Sequence, residues 1–296
     1  MSNAATAMRA DRPVPAQVFR RVLDFSATLS TGFRYIRDHR GTLYRLLFFI
    51  CLPVQVVASV LLGSLFHDFR PGSLFGTTSW WNMFGGYALL GLAYIVGCAV
   101  TCEYMRWTIV RPGLAPNLVE VWRETRRNIL LYLLLSLITG AMSVLGVFLF
   151  FLPFVFLVVT FQFCYPLHAF ERAGLGQSIG RAFNLVWGRW WMTFGLLVVL
   201  MTMWYFLYLT ISIPGALITG FGSLSGIEDL DDAQSRNQRL QWFFTLFSLI
   251  ANAGALLLLP FTQVPMCFHM LSTLEKKEAP GLMAEIDGFT IDTKAP

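Results

Sequence analysis

Charge is what this sequence has least of. Asp, Glu, Lys and Arg make up 13 % of its 296 residues, roughly half the usual share, while hydrophobic side chains reach 56 % and the mean hydropathy is +0.60. So little charge cannot cover an ordinary soluble domain, and a polytopic membrane protein is the expected class. Cysteine is also sparse. Cys51, Cys98, Cys102, Cys164 and Cys267 all fall in apolar stretches, and an odd number so placed speaks against a disulfide framework. Cys98 and Cys102 have helical i,i+4 spacing but no His or carboxylate cage, so no metal and no cofactor is expected. The first 43 residues are polar and arginine-rich and lack an apolar segment of the kind a cleavable signal peptide requires, so the N-terminus is expected to stay in the cytoplasm. No nucleophile elbow, HExxH, P-loop or paired intramembrane aspartate is found, which points away from an enzyme.

What is present is long apolar runs. A spanning helix needs about 20 such residues, and six stretches qualify, at approximately 44–66, 80–104, 129–150, 152–170, 191–214 and 242–271. Ile129 to Phe170 holds no Lys, Arg, Asp or Glu and is too long for one span. Gly140, Gly146 and "FLFFLPF" around Pro153 predict a tight hairpin there, with Pro153 opening the second helix. The expected organisation is a polar tail (1–22), one transmembrane domain (23–272) and a C-terminal tail (273–296).

The basic residues test that topology. With six spans and both termini inside, 19 of the 22 Lys and Arg fall in cytoplasmic segments and three, Arg70, Arg236 and Arg239, fall outside. The net charge of +5 therefore belongs to the membrane surface, and no nucleic-acid partner is expected. The longest outside loop carries an acidic turn, "IEDLDD", Ile227 to Asp232. A cytoplasmic (inner) membrane is the expected location.

A repeat emerges once the spans are drawn. Each hairpin follows a basic, aromatic, amphipathic segment: "FRYIRDHRGTLYRLL", "VEVWRETRRNILLYLLL" and "RAFNLVWGRWWMTFG". The first two align with Tyr44 over Tyr132, and the first and third with Phe33 over Phe183. In the third, Phe183, Val186, Trp187, Trp190 and Trp191 fall on one helical face, as in a helix lying at headgroup depth. The expected contacts to anionic headgroups come from Arg123, Arg126, Arg127, Arg181 and Arg189, with Trp187, Trp190 and Trp191 at the interface.

"HRG", His39 to Gly41, matches three residues that open the catalytic domain of glycerophosphodiester phosphodiesterases, yet it runs straight into the first span and leaves no room for a barrel of about 250 residues. The stretch "LPFVFLVVTFQFCYPLHAFERAGLGQSIGRAFNLVWGRWWMTFGLLVVL", 152 to 200, resembles the recurrent core of the membrane domain fused to some of those phosphodiesterases. "FHMLSTLEKKEAPGLMAEID", 268 to 287, resembles the tail of an uncharacterised group of six-span bacterial proteins. These resemblances imply a membrane fold and a bacterial inner-membrane context, the membrane domain having no established catalytic activity of its own.

The fold class expected is all-α, a bundle of six spans in three hairpins, each preceded by an amphipathic cytoplasmic interfacial helix. No ionisable residue falls near a span centre, so no proton or ion path is marked. Glu103 and Arg106, at i and i+3, form an expected interfacial ion pair. Pro166, Pro214, Pro260 and Pro265 predict kinks, and Gln162, His168, Pro260, Gln263 and His269 mark a possible cavity beside them. Two functional classes follow. The first is a non-enzymatic scaffold or subunit of a membrane complex, working with anionic lipid and with other membrane proteins or copies of itself. The second is a transporter or lipid-handling protein using kinked spans four and six. An enzyme at the headgroup plane would require His168, Glu171 and His269 to converge.

Overall fold

The computed structural model describes residues 22–64, 77–111, 117–148, 151–227 and 233–278. The tails at 1–21 and 279–296, Arg70 and the acidic turn from Glu228 to Asp232 lie outside them. Eight helices follow in order among the described residues: α1 (Phe25–Gly63), α2 (Thr77–Val110), α3 (Leu118–Phe148), α4 (Phe151–Phe161), α5 (Cys164–Glu171), α6 (Leu175–Val186), α7 (Trp190–Ile227) and α8 (Ala233–Glu278). Six segments are long and apolar enough to cross a bilayer, with α4 and α5 forming one of them, Leu152–Glu171. The chain is an all-α, multi-pass membrane protein.

The helix boundaries have local causes. Asn117 caps α3, its Oδ1 accepting from the Val119 N–H at 3.0 Å, and Glu120 sits in the first turn, where a negative charge complements the helix dipole. The span made of α4 and α5 is interrupted at Gln162–Phe163, one turn ahead of Pro166, whose ring excludes the carbonyl of residue 162 and which has no N–H to offer it. By contrast α7 runs unbroken through Pro214, and α8 through Pro260 and Pro265. Neighbouring helices can re-satisfy backbone groups freed by proline in a bundle.

The basic segments ahead of the first two hairpins are not separate helices. They form the N-terminal turns of α1 and α3, because nothing in either interrupts helical periodicity. Only the third hairpin has a detached helix, α6. It ends at Val186, and Gly188 turns the chain at φ +84°, a conformation that glycine adopts without steric cost. Trp187 and Trp190–Trp191 therefore do not continue one helical face with Phe183, as the unbroken periodicity had implied.

The chain forms two compact units. The first comprises Met1–His39, Ala99–Val198 and Gln263–Pro296. Tyr104, Tyr132, Phe163, Phe170 and Leu167 are enclosed in its core. Gly32 of α1 lies against Pro265 of α8 so closely that a Cβ there would stand 2.8 Å from the proline Cγ. The second unit comprises Arg40–Cys98 and Val199–Thr262. Within it Gly97 brings α2 against Leu259 of α8, and Ser59, Ser248 and Asn252 join α1 to α8 by hydrogen bonds of 3.0–3.5 Å. Small residues and shared polar groups hold helices together where no hydrophobic drive separates protein from lipid.

Candidate functional site

In the first unit, α4, the α6–α7 turn and the end of α8 enclose a cleft of about 1050 Å³. Leu152, Pro153, Phe156 and Leu157 supply an apolar wall, and Trp187, Trp190, Trp191 and Met192 an aromatic and thioether one. Trp190 stacks on Phe156 and on Phe194, with ring centroids 6.0 and 5.0 Å apart. Trp187 and Trp191 instead stand 71 % and 77 % exposed, although both are among the most apolar side chains available. Arg189 and Lys276 are the charged residues of the lining. Arg189 reaches the Met192 sulfur with Nη2 at 3.1 Å, while its Nη1 and the Trp190 indole Nε1 are buried without a hydrogen-bond partner among the described residues.

The wall of this cleft is tied down ionically. Arg181 of α6 pairs with Glu171 at 2.5 Å and with Glu278 of α8 at 2.9 Å. The Glu171 carboxylate holds the Arg181 guanidinium above its usual range, with Glu278 adding to the effect. Lys277 donates to the carbonyls of Asn184 and Trp187, the latter at 2.7 Å, a cation placed on the negative end of α6. Arg181 is thus engaged with protein carboxylates, whereas Arg123, Arg126 and Arg127 are exposed on α3.

A second ionic cluster occupies the same unit. The Glu103 side chain is fully enclosed and accepts from Arg172 at 2.6 and 3.0 Å, from the Tyr132 hydroxyl at 3.1 Å and from Asn128 at 3.4 Å. Arg172 and Arg106 both bridge to Glu124, at 2.8 and 2.9 Å. The expected Glu103–Arg106 contact is present but long, at 3.8 Å. Two carboxylates and two guanidiniums cancel, which is the condition for holding a buried charge. Arg172 caps α5 at φ 53°, and it is the one non-glycine residue with positive φ among those described.

The possible-cavity residues are distributed differently. His168 Nδ1 donates to the Ala173 carbonyl at 2.8 Å, and His269 Nε2 lies 3.0 Å from the Thr193 hydroxyl. Both histidines are buried, as are Pro260 and Gln263, while Gln162 is half-buried at the break between α4 and α5. None of these five lines the tryptophan cleft. In the second unit a cavity of about 290 Å³ is lined by Gln55, Tyr94, Trp204, Asn252 and Thr262 among others. Among the described residues no group of three His, Cys, Asp or Glu is placed to hold a metal ion, and the five cysteines are buried free thiols.

No family model, curated protein or solved structure matches the chain. The geometry itself therefore carries the functional reading. Sequence reasoning missed Glu124, Arg172, Lys276 and the Pro153 wall. Of the ion pairs just described, Glu103–Arg106 alone stands at a helical spacing, and the others join residues 10 to 97 positions apart.

Proposed function

We propose that this protein is a non-enzymatic scaffold or subunit of a membrane complex, seated in a bacterial cytoplasmic membrane with both termini inside. Its cytoplasmic rim engages anionic lipid. The observation that carries this reading is the rim itself: exposed Trp187 and Trp191 beside Arg189 and Lys276, together with exposed Arg123, Arg126 and Arg127 at the start of a spanning helix. Aromatic rings next to cations match the depth profile of an interface, where rings sit among headgroups and cations meet phosphate. The clustered ionic residues serve packing: enclosed Glu103 and partly exposed Glu124, Arg106 and Arg172 neutralise one another. The resemblance of 152–200 to a membrane domain with no established catalytic activity of its own accords with a non-enzymatic role.

Two measurements test the reading. Spin-labelled phosphatidylglycerol and phosphatidylcholine, compared at the protein surface, report anionic enrichment, and Arg123→Gln, Arg126→Gln and Arg127→Gln together should lower it by about 1 kcal/mol per charge. Native mass spectrometry of gently extracted protein should show a stoichiometric protein partner or a defined homo-oligomer. Unchanged enrichment removes the lipid half of the reading, and a bare monomer removes the scaffold half.

A second reading has its own observation. Gln55 is buried, its Oε1 lacks a partner, and it lines the 290 Å³ cavity with Asn252 and Thr262. A transporter or lipid-handling protein would use such a pocket within its spans, apolar with a few polar groups. Gln55→Leu should then abolish flux of the transported species in proteoliposomes without lowering stability.

A further inference from the structure

We infer that the cleft between α4, the α6–α7 turn and the end of α8 holds one anionic glycerophospholipid, with its phosphate on Arg189 and Lys276 and an acyl chain against Leu152, Pro153, Phe156 and Leu157. This rests on the lipid-engaging reading above and adds a discrete site to what would otherwise be a diffuse attraction.

Charge selects the headgroup. The lining contains two cations and, among the described residues, no carboxylate. Unlike Arg181, Arg106 and Arg172, which are all bridged to glutamates, Arg189 has among the described residues only a thioether to donate to. A buried guanidinium N–H without an acceptor is costly, and so is a buried indole N–H. Arg189 Nη1 and Trp190 Nε1 are both in that condition. A phosphate in the cleft, with its neighbouring ester oxygens, supplies acceptors to both kinds of donor once the Arg189 and Trp190 side chains turn them outward from the interior, and guanidinium matches phosphate in shape as well as charge.

Apolarity selects a lipid over a soluble anion. Four aliphatic or aromatic side chains of α4 and three tryptophans of the α6–α7 turn make up most of the wall. At about 1050 Å³ the cleft stands at the upper end of the roughly 300–1,000 Å³ range of small-molecule sites, too large for a phosphate ion alone. The anchoring also fits. Lys277 and Glu278 fasten α6 through its last carbonyls and Arg181, so adjacent Lys276 is presented to the cleft by a fixed helix end.

The test uses the intact protein in a neutral detergent, titrated in native mass spectrometry with phosphatidylglycerol, with phosphatidylcholine of the same chains, and with chainless glycerol phosphate. One phosphatidylglycerol per chain should be retained, about thirtyfold more tightly than phosphatidylcholine, the factor two interfacial cations provide. Arg189→Gln with Lys276→Gln should erase that preference. Leu152→Trp, at an exposed position on the apolar wall, should weaken both lipids and leave the preference intact. Equal binding of the two lipids, glycerol phosphate binding as tightly as phosphatidylglycerol, or full retention in the double variant would each overturn the site. The wild-type lipid comparison decides even if a variant does not fold. The triple Arg→Gln change on α3 separates the two ideas: it should lower enrichment of the surrounding lipid while leaving the single bound lipid in place. If the one-lipid complex is absent but surface enrichment persists, the cleft proposal fails and the general reading survives.

Discussion

Removing Arg172 is the sharpest perturbation available. Its guanidinium makes two charge-assisted bonds to Glu103, at 2.6 and 3.0 Å, and a third to Glu124 at 2.8 Å. Without it the fully enclosed Glu103 carboxylate keeps only Tyr132, a long bond from Asn128 and Arg106 at 3.8 Å. Breaking one side of a buried ion pair costs about 3–5 kcal/mol. Because the Arg172 side chain is itself one-third exposed, Arg172→Ala belongs at the low end, about 3 kcal/mol. The backbone adds a second, separable term. Residue 172 sits at φ 53°, where a Cβ costs about 1 kcal/mol, so Arg172→Gly should be about that much less damaging than Arg172→Ala. Adding Glu103→Gln to Arg172→Ala removes the orphaned charge and should recover much of the loss. The assay is denaturant unfolding in mixed micelles, read by tryptophan fluorescence. The reasoning is refuted if Arg172→Ala unfolds like the wild type, or if the double variant is no better than the single one.

Four further outcomes follow from the geometry. Gly32→Ala should destabilise by about 1–3 kcal/mol through its clash with Pro265, whereas Gly41→Ala, with open space around it, should be neutral or stabilising by up to about 1 kcal/mol; thermal unfolding compares them. Lys277→Ala should raise amide hydrogen exchange across 175–186 by an amount equivalent to about 1 kcal/mol, the value of a cation at a helix C-terminus. Arg181 is pushed upward by Glu171, and a raised basic group contributes stability that is complete below its unfolded value and lost only as pH climbs through the folded one. Both lie far above neutral pH, so protection of α6 between about pH 7 and 9, corrected for intrinsic exchange, should stay flat. Maleimide should label none of the five cysteines until denaturant is added, and reduction should not change the intact mass.

Local signals made the fold legible and their absence hid the ionic clusters. Hydrophobic runs need only length, so all six spanning segments appear close to their expected positions, and Pro153 falls in the first turn of α4 as its fixed φ requires. The pattern failed where one residue outweighs periodicity: Gly188 turns the chain and separates Trp190 from the face of Phe183, although the apolar spacing continues across it. It failed in the opposite sense at 34–45 and 123–127, where basic residues join their spans without a break. Glu103 was recognisable beside Arg106, but its tighter partner stands 69 positions away, and Arg181 meets Glu278 at a separation of 97. No spacing rule reaches across helices that only the folded chain brings together. Lys276 and Pro153 likewise share a cleft although they belong to different spanning segments.

The separation between Glu103 and Arg172 also sets an order of events during biogenesis. At a synthesis rate of about 5–20 residues per second, roughly 3–14 s pass between the appearance of the carboxylate and that of its bidentate partner. For that interval α2 carries a glutamate with only Arg106, one turn on, to offset it, and α3 delivers a second glutamate before the second counterion arrives. The Glu103–Glu124 cluster reaches charge balance only once α5 and its left-handed cap have been made. Arg172 is thus a latch that arrives late, and it fastens α2 and α3 from a residue made only after the fourth spanning segment.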